Sequence, residues 1–178
     1  MAFQIKNRVA PTSGPSNPGY AIIQQWTQVS RGALALPQTA SEVLFRIKGG
    51  RVLVHLLLGE VTTVIEATDP VLSVSAQRLN AAGTALIGTL DELAATLNLS
   101  SDEVGSMYVV EGDGTALVST QLAAWANVNT RTWIAPPGEI FITTGASKTG
   151  AMKWDLWYQP LDAGAYVTAV SVATAPVS

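Results

Sequence analysis

The chain has 178 residues, 48% hydrophobic and only 13% charged, with a net charge of −3. That length suits one well-buried domain and leaves two cramped. Because average proteins carry roughly 25% charged residues, much of this surface is expected to meet other protein chains. Scattered Lys and Arg argue against nucleic acid as the main partner, and the acidic balance gives no pull toward an anionic membrane. Without cysteine there are no disulfides, thiolate metal sites or cysteine nucleophile.

Residues 1–38 carry Pro11, Pro15, Pro18 and Pro37. Each proline removes an amide donor and opposes helix, so this stretch reads as an extended N-terminal arm and linker, with Ala10–Gly19 as arm or loop. Residues 39–178 read as a single β-rich domain. Phe3, Ile5 and Val9 alternate with Gln4 and Lys6, a pattern that either adds a strand to a neighbouring sheet edge or frays as a terminus. Ala21–Val29 reads as a short strand with Trp26 as an anchor. Phe3, Ile5, Val9 and Trp26 are therefore the candidate partner-binding residues. The first residues lack the apolar stretch of a signal peptide, and no run approaches the roughly 20 apolar residues that span a bilayer. Cytoplasmic synthesis without export is expected.

The most ordered pattern follows in residues 42–67. Val43, Phe45 and Ile47 alternate with Leu44, Arg46 and Lys48, as in a strand with one face inward. Arg51–Leu58 is apolar on both faces except for His55, and Val61–Ile65 alternates again. Gly49-Gly50 is a two-residue hairpin signal, because both glycines tolerate positive φ. With Gly59-Glu60 as a second break, the stretch predicts an antiparallel meander. Asp69-Pro70 marks a turn, Val71–Ala76 a strand, and Leu79–Thr89 a loop with one short strand. Asp91–Leu99 is the one predicted helix, capped by Thr89, with Asp91 and Glu92 in its first turn and Leu93 and Leu97 on one face.

Met107–Glu111 and Ala116–Thr120 flank Gly112-Asp113-Gly114, a second hairpin signal. Pro136-Pro137-Gly138 fits a type II turn with Gly138 at positive φ. Glu139–Thr143 and Ala151–Gln159 are strands joined by residues 144–150. In the latter, Met152, Trp154, Leu156 and Tyr158 share one face and Trp157 takes the other. Tyr166–Ala173 is the last strand. Many short strands with frequent turns and one short helix predict an all-β sandwich, jelly roll or barrel-like domain.

Candidate chemistry is sparse. His55, the single histidine, sits in the most hydrophobic strand and reads as a satisfied or interface residue, not a general base beside a nucleophile. No carboxylate cluster has metal-ligand spacing, and Glu111-Gly-Asp113-Gly reads as a solvated hairpin tip. Gly145-Ala-Ser-Lys-Thr-Gly150 departs from a phosphate loop, because the lysine precedes the second glycine. Asp91-Glu92 and Asp102-Glu103 read as solvated acids, not a glycosidase pair. The five tryptophans fit core or interface packing better than a sugar platform. The expected protein is not an enzyme, and no cofactor is implied.

Two stretches, VLFRIKGGRVLVHLLLGEVTTVI (Val43–Ile65) and PPGEIFITTGASKTGAMKWDLWYQPLDAGAYVTA (Pro136–Ala169), resemble the decoration, or cement, proteins of tailed-bacteriophage heads. The resemblance implies a β-rich structural protein of the virion's outer capsid surface, often a homotrimer. Its partner would be the major capsid protein, whose neighbouring subunits it clamps after head expansion. It carries no catalytic motif. The alternatives are another phage structural protein (a head-fibre base, tail or baseplate component) and, from a different class, a carbohydrate-binding β sandwich. The last requires Trp133, Trp154 or Trp157 exposed and aligned on one face.

Overall fold

The computed structural model describes residues 26–38, 40–66, 71–99, 101–115, 118–120, 131–146 and 149–176. Among these the strands are β1 (Thr27–Ala35), β2 (Ser41–Lys48), β3 (Val52–Thr63), β4 (Val71–Leu79), β5 (Leu86–Asn98), β6 (Met107–Val110), β7 (Val118–Thr120), β8 (Trp133–Ala135), β9 (Gly138–Thr144), β10 (Ala151–Pro160) and β11 (Tyr166–Ala169). They form two antiparallel sheets. One has the order β1-β10-β3-β6-β7, with β8 also paired to β3; the other runs β11-β2-β9-β4-β5. The fold is an all-β sandwich.

The alternation read along β10 is observed. Met152, Trp154, Leu156 and Tyr158 are buried, while Lys153, Asp155 and Trp157 are half-buried on the opposite face. Across the core they meet the inward set of the other sheet, including Phe45 and Ile47 of β2 and Ile140 and Ile142 of β9. The Gly112–Gly114 hairpin also forms, with β6 pairing β7. At its tip, Asp113 Oδ1 accepts the backbone N–H of Thr115 at 3.0 Å.

The predicted meander does not form. β2 and β3 are consecutive in the chain but lie in different sheets, so Gly49-Gly50 turns a corner of the sandwich. Both residues have positive φ, 76° and 155°, as the hairpin signal requires. A Cβ on Gly49 would nevertheless stand 2.1 Å from the carbonyl oxygen of Gly164, because the corner packs on the β10–β11 connection. A Gly-Gly pair reports backbone freedom, not which strand becomes the partner. Gly59 does not break β3 either; it lies within one continuous strand, against the Trp154 indole.

The predicted helix over Asp91–Leu99 is strand β5, and the described residues contain no helix. Its pairing with β4 runs Leu72↔Leu97, Val74↔Ala94 and Ser75↔Glu92. β5 thus spends an extra residue at each step, as in β-bulges. Those bulges let Leu93 and Ala94 be buried together while Leu97 also packs on the core. A helix-like spacing of leucines is thereby satisfied by an irregular edge strand. Local propensity yields to the ladder offered by β4.

Two smaller corrections concern Gly138 and the arm. Gly138 lies in β9 without positive φ; glycine is needed because a Cβ would stand 2.4 Å from the carbonyl oxygen of Gln77. The strand expected within Ala21–Val29 begins at Thr27 and continues to Ala35 as the edge of the larger sheet. Part of the stretch read as arm and linker therefore belongs to the sandwich. The turn at Asp69-Pro70 lies outside the described residues.

The corner is held by Arg51 and Asp162. The Asp162 carboxylate accepts the Arg51 backbone N–H at 2.7 Å, Nε at 2.9 Å and Nη2 at 2.8 Å. These hydrogen bonds, side chain first, hold the carboxyl at about 2, below its ordinary 3.8. A depressed carboxyl pKa contributes stability that is present above the unfolded value and lost as pH falls through the folded one. The melting temperature should therefore fall between pH 3.8 and about 2, and Asp162→Asn should remove that component. Thermal melts of both proteins across this range test it; identical pH slopes would discount the pair.

Candidate functional site

Residues facing each other across paired strands share a face of the sheet. On the larger sheet Val54, Leu57, Trp154 and Leu156 are in the core, so their strand neighbours face outward. Trp157 of β10 lies between Gln28 of β1 and Leu56 of β3; Leu58 lies between Asp155 and Val109; Leu53 faces Ile134 of β8. Leu53, Leu56, Leu58 and Trp157 are half-buried, and Ile134 is 60% exposed. An apolar strip thus runs across the outward face. Polar groups frame it. Asp155 accepts hydrogen bonds from Ser30 and from Gln28, the latter at 3.0 Å, and Lys153 pairs with Glu60 at 2.7 Å.

Trp26 stands at this strip, just before β1. It is 53% exposed, and its ring stacks on that of His55 with centroids 4.2 Å apart and planes 15° from parallel. The two residues are brought together across the intervening β10. No spacing in the chain signals this contact, since it depends on a strand order that local patterns do not reveal. Of the other candidate partner-binding residues, Phe3, Ile5 and Val9 lie outside the described residues.

Of the two expectations for His55, a satisfied or an interface histidine, its Nε2 does not meet the first. It is 6% exposed, and among the described residues its buried Nε2 has no hydrogen-bond partner. The register slips beside it: Trp157 faces Leu56 while Tyr158 faces Val54. His55 is the extra residue of a bulge, which lets it leave the regular alternation. Burial pushes its pKa below the ordinary 6.5, because desolvation disfavours the charged ring.

The tryptophans do not form a platform. Trp154 is fully buried in the core, Trp133 packs against the core from β8, and Trp157 faces the other way. The alignment that a carbohydrate-binding reading requires of these three is absent. Trp133, Asp91, Arg78 and the buried Glu139 border a recess of about 60 Å³ where the sheets splay. Ligand pockets usually hold about 300–1,000 Å³, so this space suits a few waters. Glu139 is also engaged, accepting from Arg46 Nε at 2.8 Å. Among the described residues no group of three or more His, Asp or Glu could hold a metal ion. What the outward strip offers is apolar area with an aromatic anchor, a surface suited to contact. Compared with models of known protein families and with curated proteins, the chain matches none.

Proposed function

We propose that the chain is a structural virion protein that decorates the outer surface of a phage head, binding the major capsid protein as a homotrimer. The observation that carries this reading is where the two decoration-like stretches lie. Residues 43–65 supply most of β2 and all of β3; residues 136–169 supply β9, β10 and β11. β3 pairs with β10, while β2 lies between β9 and β11. The resemblance therefore falls on one contiguous unit spanning both sheets. The low charge and the outward strip with Trp26 add to it, since exposed aromatics at the centre of apolar surface are the usual anchors of protein interfaces.

The role is mechanical. Packaged genome pushes capsid subunits apart, and a trimer bridging them adds buried apolar area and paired strand edges across the seams. Phe3 and Ile5 would set the register of an arm strand added to a capsid subunit. Light scattering on the purified chain tests the oligomer: three times 18.6 kDa is expected, and a monomer counts against the trimer. Deleting Met1–Gly19 should abolish co-sedimentation with expanded heads while leaving the β circular dichroism intact. Unchanged attachment would remove the arm from the mechanism.

A further inference from the structure

We propose that Trp26 and His55 form an acid-released latch that holds the root of the N-terminal segment to the larger sheet. Trp26 is the residue at which residues 1–25 join the described structure, and its ring stacks on His55. Under that indole, His55 is almost sealed, and among the described residues its Nε2 has no partner. A neutral imidazole accepts this at modest cost. A protonated one carries N–H donors on both nitrogens and a charge, and an unpaired buried charge is strongly disfavoured.

Among the described residues no neighbouring group pairs with His55 where it lies. β10 brings Asp155 and Lys153 to this face, but Asp155 is engaged by Ser30 and Gln28, and Lys153 by Glu60 of β3 itself. Arg131, ahead of β8, pairs with Asp113 at 3.3 Å. Glu111 follows β6, and β1 offers only Gln28 and Ser30 on this face. Among the described residues no ion pair or hydrogen bond joins any of these to His55. Attraction between a cation and the indole face opposes release, yet it satisfies neither N–H. Water does, and Trp26, stacked on the ring, is already half in solvent. Proton uptake and the stack therefore compete, and each weakens the other.

The sign follows from burial, which lowers the folded-state pKa below 6.5. As pH falls below that value the released state binds a proton before the latched state does, so the latch loses stability with acid. It is a property of the chain alone and does not depend on the capsid reading.

The chain has one histidine, so a single imidazole Cε1 proton resonance reports on it in the full-length protein. Between about pH 8 and about pH 4, that resonance should titrate with a midpoint below 6.5. The Trp26 indole N–H, assigned with Trp26→Phe, should shift with the same midpoint. In Trp26→Ala the histidine midpoint should move up toward 6.5, because its cover is gone. In His55→Phe, which keeps a ring under Trp26 but takes no proton, the Trp26 signal should stay flat. An unchanged histidine midpoint in Trp26→Ala, or a Trp26 signal that titrates in His55→Phe, overturns the latch.

Discussion

Replacing Glu42 by alanine should destabilise the sandwich by about 3–5 kcal/mol, the range for breaking one half of a buried ion pair. Arg31 of β1 and Glu42 of β2 come from different sheets and pair through Nη2 and Oε1, with side chains only 1% and 5% exposed. Arg31 Nε also donates to the carbonyl oxygen of Val170, just after β11, at 2.9 Å. One guanidinium thus ties an edge strand of one sheet to β2 of the other and to the residue that follows β11. Burial pushes its pKa down to about 10, which leaves it charged at neutral pH.

Removing only Glu42 strands that cation in the interior. Removing both, as in Arg31→Met with Glu42→Leu, should cost much less, because desolvation of two charges offsets much of their attraction. Urea unfolding of the two single variants and the double variant measures the difference. Equal losses in Glu42→Ala and the double variant would mean that the pair is not the source of the effect.

The second large effect is expected at Trp154. It is fully buried on the core face of β10, and truncation to alanine should cost about 3–5 kcal/mol in lost burial and cavity formation. Among the described residues its Nε1 has no hydrogen-bond partner, so Trp154→Phe loses mainly packing and should cost clearly less. Gly59 is the counterpart. A Cβ there would stand 2.8 Å from two ring carbons of Trp154, and Gly59→Ala should cost about 1–3 kcal/mol by overpacking. In a Trp154→Leu background that cost should largely disappear, because residues in contact couple and the smaller side chain vacates the space. Additive losses would show that Gly59 serves a different purpose.

These contacts mark the limit of what can be read along the chain. The alternation in 151–159 placed Trp154 and Trp157 on opposite faces without any tertiary information, because each successive side chain of a strand must take the opposite face. The hairpin at 112–114 was equally legible, since its signal and its partner strand are adjacent. Where the partner is remote, the local signal becomes ambiguous. Gly59 reads as a break until Trp154 is seen beside it, and Gly138 reads as a turn residue until Gln77 is. Leu93 and Leu97 read as a helix face until β4 supplies a ladder that two bulges can follow. The Arg31–Glu42 pair and the Trp26–His55 stack leave no trace in spacing at all.

The chain alone thus specifies an all-β fold, most strand positions and the scarcity of chemistry-bearing groups, all of which follow from side-chain type and a period of two. Which strands share a sheet was settled by packing. β2 and β3 separate at Gly49-Gly50 because their inward faces must close on one core from opposite sides. That separation sets β10 beside β3 and brings Trp26 over the lone histidine, a placement governed by long-range pairing.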